Sequence, residues 1–388
     1  GLARVTAGAV ADGMRMLDDV SAAIISGEIR EPLAIGLAGC YLLSACDRVR
    51  DYDRAAQWCG RIKGFCVRWG LRQLFAVCRT QYAAVCLWNG EWNEAERELV
   101  AAVDEFNASR PAMSVEGAAR LGELRRRQGR LDDAKELFDR AKTHPLAVVG
   151  RAALALDRGD AASAGDLAER YLRAVPVQNR TERVAALELL IRAKLSLGLA
   201  ADARTAVEEL ESIAADAATV PLMSVARLGR GLIEAADGNL DAARRAYEDA
   251  VDGFERTAAL YEAARARLEL ASVLNACGRV DVATRETQHA LEGFTRLAAS
   301  LDQARAEQQL SAMHGTTPVT PSQTPLSRRE REVLGLIAKG LSNQRIAGQL
   351  FISEHTVHRH IANVLAKLDV SSRSAAVARA IKQGVLEG

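Results

Sequence analysis

The sequence SNQRIAGQLFISEHTVHRHIANVLAKL, residues 342–368, predicts two short helices separated by a tight break. Ser342 or Asn343 can cap the first helix, because its side chain can accept hydrogen bonds from free backbone N–H groups. The second helix is expected from about Glu354 to Leu368. Along it, apolar residues recur at three- and four-residue steps, at positions 357, 361, 364, 365 and 368. One side of the second helix therefore packs inward.

The other side of the second helix is expected to carry polar, basic and small residues: His355, His358, Arg359, Ala362, Asn363 and Ala366. In the major groove of DNA, Arg can bond guanine edges, Asn can bond adenine edges, and Ala leaves room for a thymine methyl. A helix of this kind can lie in that groove. The histidines at 355, 358 and 360 do not all converge on one side, so the pattern predicts no metal site.

Charge is unevenly divided along the chain. Residues 326–388 hold ten Lys or Arg against five Asp or Glu, a net charge of +5. Since the whole chain has a net charge of +1, the remainder carries −4. A basic end on an otherwise near-neutral protein is typical of a surface that binds phosphate. The C-terminal segment is therefore predicted to bind double-stranded DNA.

Several short motifs in this segment resemble the LuxR/NarL type of helix-turn-helix domain. They are LSRREREVL at 326–334, GLSN at 340–343, Ile346-Ala347, Leu350, Ile352-Ser353, Thr356-Val357, His360, Lys367-Leu368 and Arg373. The resemblance covers the last 63 residues and implies four helices. The second and third would be the scaffold and recognition helices, and the fourth, about residues 372–383, would serve dimerisation. Members of the family often carry Lys where this chain has His358 and Glu where it has Arg345.

The resemblance also implies roles for individual residues. The positions that face base edges in the family are occupied here by His358, Arg359 and Ala362. We expect the DNA phosphates to be held by a second set: Ser342, Asn343, Arg345, Thr356 and Lys367. A domain of this size reads only a few base pairs, so we expect a homodimer on two half-sites.

An internal repeat occupies most of the remaining chain. Turn-like segments begin at Gly90, Gly129, Gly159, Gly198, Gly238 and Gly278, with separations of 39, 30, 39, 40 and 40 residues. Each glycine and its polar neighbours would form the turn of a helical hairpin, and an Ala four or five residues later would let the paired helices approach closely. Such hairpins must stack on their neighbours to bury their apolar faces. The arrangement resembles tetratricopeptide repeats.

The predicted fold class is all-α, a tetratricopeptide-like helical-hairpin solenoid followed by a four-helix LuxR-type helix-turn-helix domain. We place the solenoid at residues 1–313, a linker at 314–325 and the DNA-binding domain at 326–388. Three of the chain's eight Pro lie in this linker, which favours a semi-extended segment. The repeats open with a turn and a second helix at Gly8, so either the natural chain extends further at its N-terminus, which we favour, or a partner covers this end.

Aromatic and Arg residues are concentrated in the N-terminal third of the solenoid. One interpretation is that the rings form core and the arginines a solvated face. The other is a concave pocket for an anionic, partly apolar effector, since ligand sites combine apolar walls with a few charges. The candidate effector region comprises Trp58, Arg61, Phe65, Trp69 and Arg72.

The sequence contains no phosphate loop, HExxH, GxSxG or Rossmann fingerprint, so we predict neither an enzyme nor a cofactor. No apolar run approaches the ~20 residues of a membrane span, and no signal peptide is evident, so a cytoplasmic protein is expected. The seven Cys are expected to be free thiols. The predicted function is a bacterial transcriptional regulator controlled by a small-molecule or protein effector. The alternative is a repeat scaffold for protein partners, or a fragment of a larger signalling ATPase regulator.

Overall fold

The structure is a computed structural model that describes residues 1–69, 72–315, 326–350, 352, 354–368, 370 and 373–382. Within helices, the side chains at 25, 32–33, 65–69, 72–75, 314–315, 328, 355, 359, 366 and 374 are not described. Every regular element in the described ranges is a helix, which confirms the all-α fold. No described helix has the length and apolar character needed to cross a membrane.

Seventeen described α-helices form the repeat array. They are α1 (Leu2–Thr6), α2 (Val10–Ser26), α3 (Pro32–Val49), α4 (Tyr52–Trp69), α5 (Arg72–Asn89), α6 (Trp92–Ser109), α7 (Ser114–Arg127), α8 (Leu131–Arg140), α9 (Pro145–Asp157), α10 (Ala161–Ala174), α11 (Arg180–Ser196), α12 (Ala200–Ala217), α13 (Val220–Ala236), α14 (Leu240–Arg256), α15 (Leu260–Ala276), α16 (Val280–Leu297) and α17 (Ser300–Gly315). Consecutive helices pack against each other as hairpins. The helical-hairpin solenoid is therefore confirmed. Helix α17 ends two residues inside the segment predicted as linker.

The hairpin turns follow the predicted pattern. All six glycines of the repeat have a positive φ, between 74° and 81°, which costs little without a Cβ atom. The alanine five residues after each glycine is fully buried in every case: Ala95, Ala134, Ala164, Ala203, Ala243 and Ala283. A methyl group at this position lets the two helices of each hairpin approach closely.

The array winds round so that segments far apart in sequence touch. The indole N–H of Trp88 on α5 donates to the carbonyl oxygen of Thr257, at the end of α14, at 2.7 Å. The hydroxyl of Thr219 donates to the carbonyl oxygen of Val49, at the end of α3, at 3.0 Å. These long-range contacts enclose a space lined by the first helix of successive hairpins, from α3 to α15.

The C-terminal domain contains four helices, α18 (Arg328–Ala338), α19 (Asn343–Leu350), α20 (Glu354–Lys367) and α21 (Arg373–Lys382). Helix α18 begins with a capping box, in which Ser327 and Glu330 each accept a hydrogen bond from the other's backbone N–H. Two apolar clusters, one around Leu334 and Val364 and one around Val333 and Val357, hold the helices together. The four-helix prediction is confirmed.

Candidate DNA interface and solenoid cavity

Helix α20 presents a surface with small and polar side chains. His358 and Ala362 are exposed and lie one turn apart, with Glu354 a turn before them. Arg359 lies in the same helix, but its side chain is outside the described residues. Two of the three predicted base-contacting residues therefore lie on an accessible face of the helix predicted to enter the groove.

The opposite side of α20 is the predicted apolar stripe. Val357 and Val364 have no exposed surface, and Ile361 and Leu368 are buried with them. One prediction is wrong: Asn363, expected on the outward face, is only 5% exposed. The domain is small, and its other helices cover a wider arc of α20 than the apolar stripe occupies. A polar residue beside the stripe is therefore buried as well.

The predicted phosphate-binding residues of α19 fall into two groups. Ser342 and Arg345 are exposed, and the Ser342 hydroxyl accepts a long bond, 3.4 Å, from the Arg345 backbone N–H. Asn343 is buried, and its side-chain oxygen accepts a hydrogen bond from the guanidinium of Arg373. Arg345 is thus free to reach a DNA phosphate, while Asn343 ties α19 to the start of α21.

Lys367, the fifth predicted phosphate-binding residue, is held inside the domain. Its ammonium group lies 2.6 Å from the carboxylate of Glu330, and only 14% of the Lys367 side chain and 2% of the Glu330 side chain are exposed. Burial raises the pKa of Glu330, but the hydrogen bonds from Lys367 and from the Ser327 backbone lower it further, so the pKa lies below its ordinary value. The pair joins the end of α20 to the start of α18.

Comparisons with known proteins place this domain in a family. Residues 324–380 match the model of the bacterial regulatory proteins of the luxR family. The spore germination protein GerE of Bacillus subtilis is 46% identical over 66 residues, which are 17% of this chain and 89% of GerE. The chain belongs to the luxR family of bacterial regulatory proteins.

Other similarities cover different parts of this luxR-family protein. The uncharacterized transcriptional regulatory protein YhcZ of Bacillus subtilis is 54% identical over 57 residues, so the chain spans only 27% of the length of YhcZ. A crystal structure of a Rap protein, complexed with competence and sporulation factor, covers 90% of this chain and 98% of that one, with a TM-score of 0.54 and 10% identity. At that identity the likeness is one of fold, and it supports the helical-repeat architecture.

The luxR-type domain contacts the solenoid through α20. Thr356, in the first turn of α20 and buried, donates its hydroxyl hydrogen to the carboxylate of Asp252 on α14. A second contact brings the guanidinium of Arg279, between α15 and α16, to 3.6 Å from the Glu330 carboxylate. The residue predicted to touch a DNA phosphate is therefore bound to an acidic residue of the repeats.

The solenoid of the luxR-family protein contains a partly open cavity of about 290 Å3. Its lining includes six arginines, Arg50, Arg120, Arg126, Arg127, Arg192 and Arg265, and four carboxylates, Asp47, Glu123, Glu188 and Glu262. The remaining wall is largely apolar and comes mainly from α5, α7, α9, α11 and α13. The cavity combines apolar surface with a small excess of positive charge.

Four of the six cavity arginines are paired with carboxylates. Arg50 pairs with Glu188, Arg120 with Asp47 and Glu116, Arg126 with Glu123 and Asp157, and Arg127 with Glu123 and Glu262. The Arg120 to Asp47 distance is 2.9 Å, and the Arg127 to Glu262 distance is 3.1 Å. Arg192 and Arg265 form no ion pair or hydrogen bond with any described residue.

The effector region predicted from the sequence lies outside this cavity as far as its residues are described. Trp58 is half-buried and packs against the solenoid core, and the exposed Arg61 guanidinium lies 5.0 Å from the centre of its ring. Neither residue lines the cavity. The side chains of Phe65, Trp69 and Arg72 lie outside the described residues. The signal that sequence reasoning missed is a charge inside an apolar helix, such as Arg192 in the run ALELLIRAKL.

Proposed function

We propose that this chain is a transcriptional regulator that binds specific double-stranded DNA through α20 and whose solenoid controls access to that helix. The observation that carries the proposal is the luxR-type domain, whose recognition helix exposes His358 and Ala362 on one face. Polar and small side chains on a helix of this kind suit the base edges of the major groove. Such a protein would work in the bacterial cytoplasm, where the DNA is.

The proposal assigns contacts to individual residues. His358, Arg359 and Ala362 read bases, while Ser342, Arg345 and Thr356 hold phosphates. The buried positions of Asn343 and Lys367 favour a supporting role for both, in which they fix the scaffold and recognition helices relative to α18 and α21. Under this proposal, three residues hold phosphates rather than the five expected from the sequence.

A homodimer on two half-sites is part of the same proposal. Helix α21 leaves Ile381 44% exposed and Val377 half-buried, so it offers a small apolar surface for a second copy. One recognition helix reaches too few base pairs for useful specificity, and two half-sites roughly double the binding free energy. Substitution of Ile381 by Glu should therefore convert two-site DNA binding into weak single-site binding.

We propose that the described arrangement is a closed state that excludes DNA. A carboxylate and a phosphate both accept hydrogen bonds, and in this state the Asp252 carboxylate takes the hydrogen bond of Thr356 that a phosphate would receive. Buried N–H groups of Arg279 lack hydrogen-bond acceptors at this contact, which costs free energy in the closed state. That cost favours a contact that can open.

The test is a DNA-selection experiment with the full chain, followed by fluorescence anisotropy on the selected site and on a scrambled duplex across a salt series. A selected sequence bound at least tenfold more tightly than the scrambled one supports the proposal. Binding that depends on salt but not on sequence, or no binding by either the full chain or an Asp252→Ala variant, would instead favour a repeat scaffold for protein partners.

A further inference from the structure

The cavity of the solenoid is large enough for a small molecule. At about 290 Å3 it lies just below the range of typical ligand pockets, roughly 300–1,000 Å3. Its walls come from first helices of successive hairpins, so a molecule bound there touches several repeats at once. A folded protein partner does not fit in a space of this size.

Two of the positive charges in the cavity form no direct ion pair with a described carboxylate. Arg192 on α11 and Arg265 on α15 are half-buried, and neither bonds to a described carboxylate. Arg265 instead lies with its guanidinium 5.8 Å from the centre of the Tyr261 ring. The proximity of Arg265, followed by burial, lowers the pKa of Arg192 to about 10. Burial lowers the pKa of Arg265, but Tyr261 and the more distant carboxylate of Asp302 raise it further, so it lies above its ordinary value. The repulsion therefore falls on Arg192, and an anion bound beside it would offset that repulsion.

The wall near these arginines is apolar. Leu189 lies on α11 with Arg192, and Val149 on α9 and Leu228 and Leu232 on α13 line the same space. Inorganic ions gain nothing from such a wall, whereas an organic molecule buries its hydrocarbon surface there. Guanidinium groups bind carboxylate and phosphate oxygens through two parallel hydrogen bonds.

We propose that the solenoid cavity binds a small organic anion, with its carboxylate or phosphate between Arg192 and Arg265 and its apolar body against Val149, Leu189 and Leu228. Binding itself does not depend on DNA. The step from binding to control of DNA rests on the proposed function. Helices α13 and α15 line the cavity and pack against α14, which carries Asp252, and Arg279 follows α15, so the cavity adjoins the residues that contact the luxR-type domain.

The experiment measures ligand binding by the full chain without DNA, by thermal shift and calorimetry. The probes are 3-phenylpropionate, its uncharged amide 3-phenylpropionamide, phenyl phosphate and inorganic phosphate. We expect both aromatic anions to raise Tm with increasing concentration, and to bind at least tenfold more tightly than the amide or inorganic phosphate. Tighter binding of 3-phenylpropionate would identify a carboxylate ligand, and tighter binding of phenyl phosphate would identify a phosphate ester.

Three cavity variants and one control separate binding from folding. Arg192→Gln and Arg265→Gln should each lose at least tenfold in affinity. Arg192→Gln should also keep or raise the Tm of the free protein, because it removes the charge that Arg265 repels. Arg192→Lys keeps a charge but loses the paired hydrogen bonds, so its affinity should be intermediate. The control is Arg140→Gln, at an exposed position on the outer helix α8, which should bind as the original protein does.

Several outcomes would overturn the proposal. One is that none of the four probes binds. Another is that the amide binds as well as the acid, and a third is that the folded Gln variants bind as the control does. If a Gln variant fails to fold, the Lys variant decides the matter, and unchanged affinity there contradicts the site. Anion binding that leaves DNA affinity unchanged would contradict the proposal that the ligand controls DNA binding. It would not contradict the proposed anion site.

Discussion

The hydroxyl of Thr356, in the first turn of α20, donates its hydrogen to the carboxylate of Asp252 on α14 of the solenoid. The hydroxyl of a residue expected to bind phosphate is thus already hydrogen-bonded to an acidic side chain of the same protein. If this contact closes the protein against DNA, removing the carboxylate should favour the open form. The solenoid would then act as an inhibitor of its own DNA-binding domain.

We expect Asp252→Ala to raise DNA affinity about 5- to 150-fold, the range that corresponds to coupling free energies of about 1–3 kcal/mol. The measurement is fluorescence anisotropy on the selected duplex. Asp241→Ala is the matched control, because Asp241 lies on the same helix with its side chain 85% exposed. Equal affinities for the two variants would mean that the contact does not limit access to DNA.

A substitution of Arg359 should affect specificity. Arg359→Ala is expected to cost about 1–3 kcal/mol on the best site and to relax the base preference at one position, because Arg can bond a guanine edge through two hydrogen bonds. The test is a repeat of the selection experiment with the variant. An unchanged sequence preference would show that α20 meets the groove by another face.

A substitution of Arg345 should affect affinity without changing specificity. Arg345 is exposed on α19 and is proposed to contact phosphate. Arg345→Ala should weaken binding to all sequences alike and reduce the slope of log K against log salt by about one. Arg140→Ala, on the far solenoid, is the control for the loss of one positive charge. A loss confined to the selected sequence would assign Arg345 to base reading.

Different parts of this structure were predictable from sequence to different extents. The turn glycines and the alanines that follow them are local features, so the hairpin turns were predicted at their observed positions, and helix α20 close to its observed bounds. The contact of Trp88 with Thr257 joins residues 169 positions apart, and the contact of Thr356 with Asp252 joins two domains. No local pattern encodes such contacts, because they depend on how far each hairpin rotates relative to the next.

The tight hairpin contacts predict a steric effect. Ala203 is fully buried in α12 five residues after Gly198, whereas Ala201 on the same helix is exposed. Ala203→Leu should destabilise the protein by about 1–3 kcal/mol, since added methyl groups force a packed interface apart. Ala201→Leu is the control and should change stability by less than about 0.5 kcal/mol. Urea unfolding followed by circular dichroism compares the two, and equal stabilities would show that the hairpin interface has room for a larger side chain.

The buried pair of Lys367 and Glu330 predicts a dependence of domain stability on pH. The pKa of Glu330 is lower in the folded protein than in the unfolded chain, where it is about 4.3. The ionised form therefore stabilises the fold above that value, and this contribution is lost as the pH falls through the lowered pKa. Glu330→Gln should remove this part of the acid sensitivity.

Lys367→Met leaves the buried carboxylate of Glu330 without its ammonium partner, so it should destabilise the C-terminal domain by about 3 kcal/mol at neutral pH. Hydrogen exchange of backbone amides in α18 and α20, measured by mass spectrometry on the full chain, reports the change. Lys339→Met is the control, because Lys339 is exposed just after α18. If the Lys367→Met variant showed unchanged exchange but weaker DNA binding, Lys367 would instead be a phosphate-binding residue.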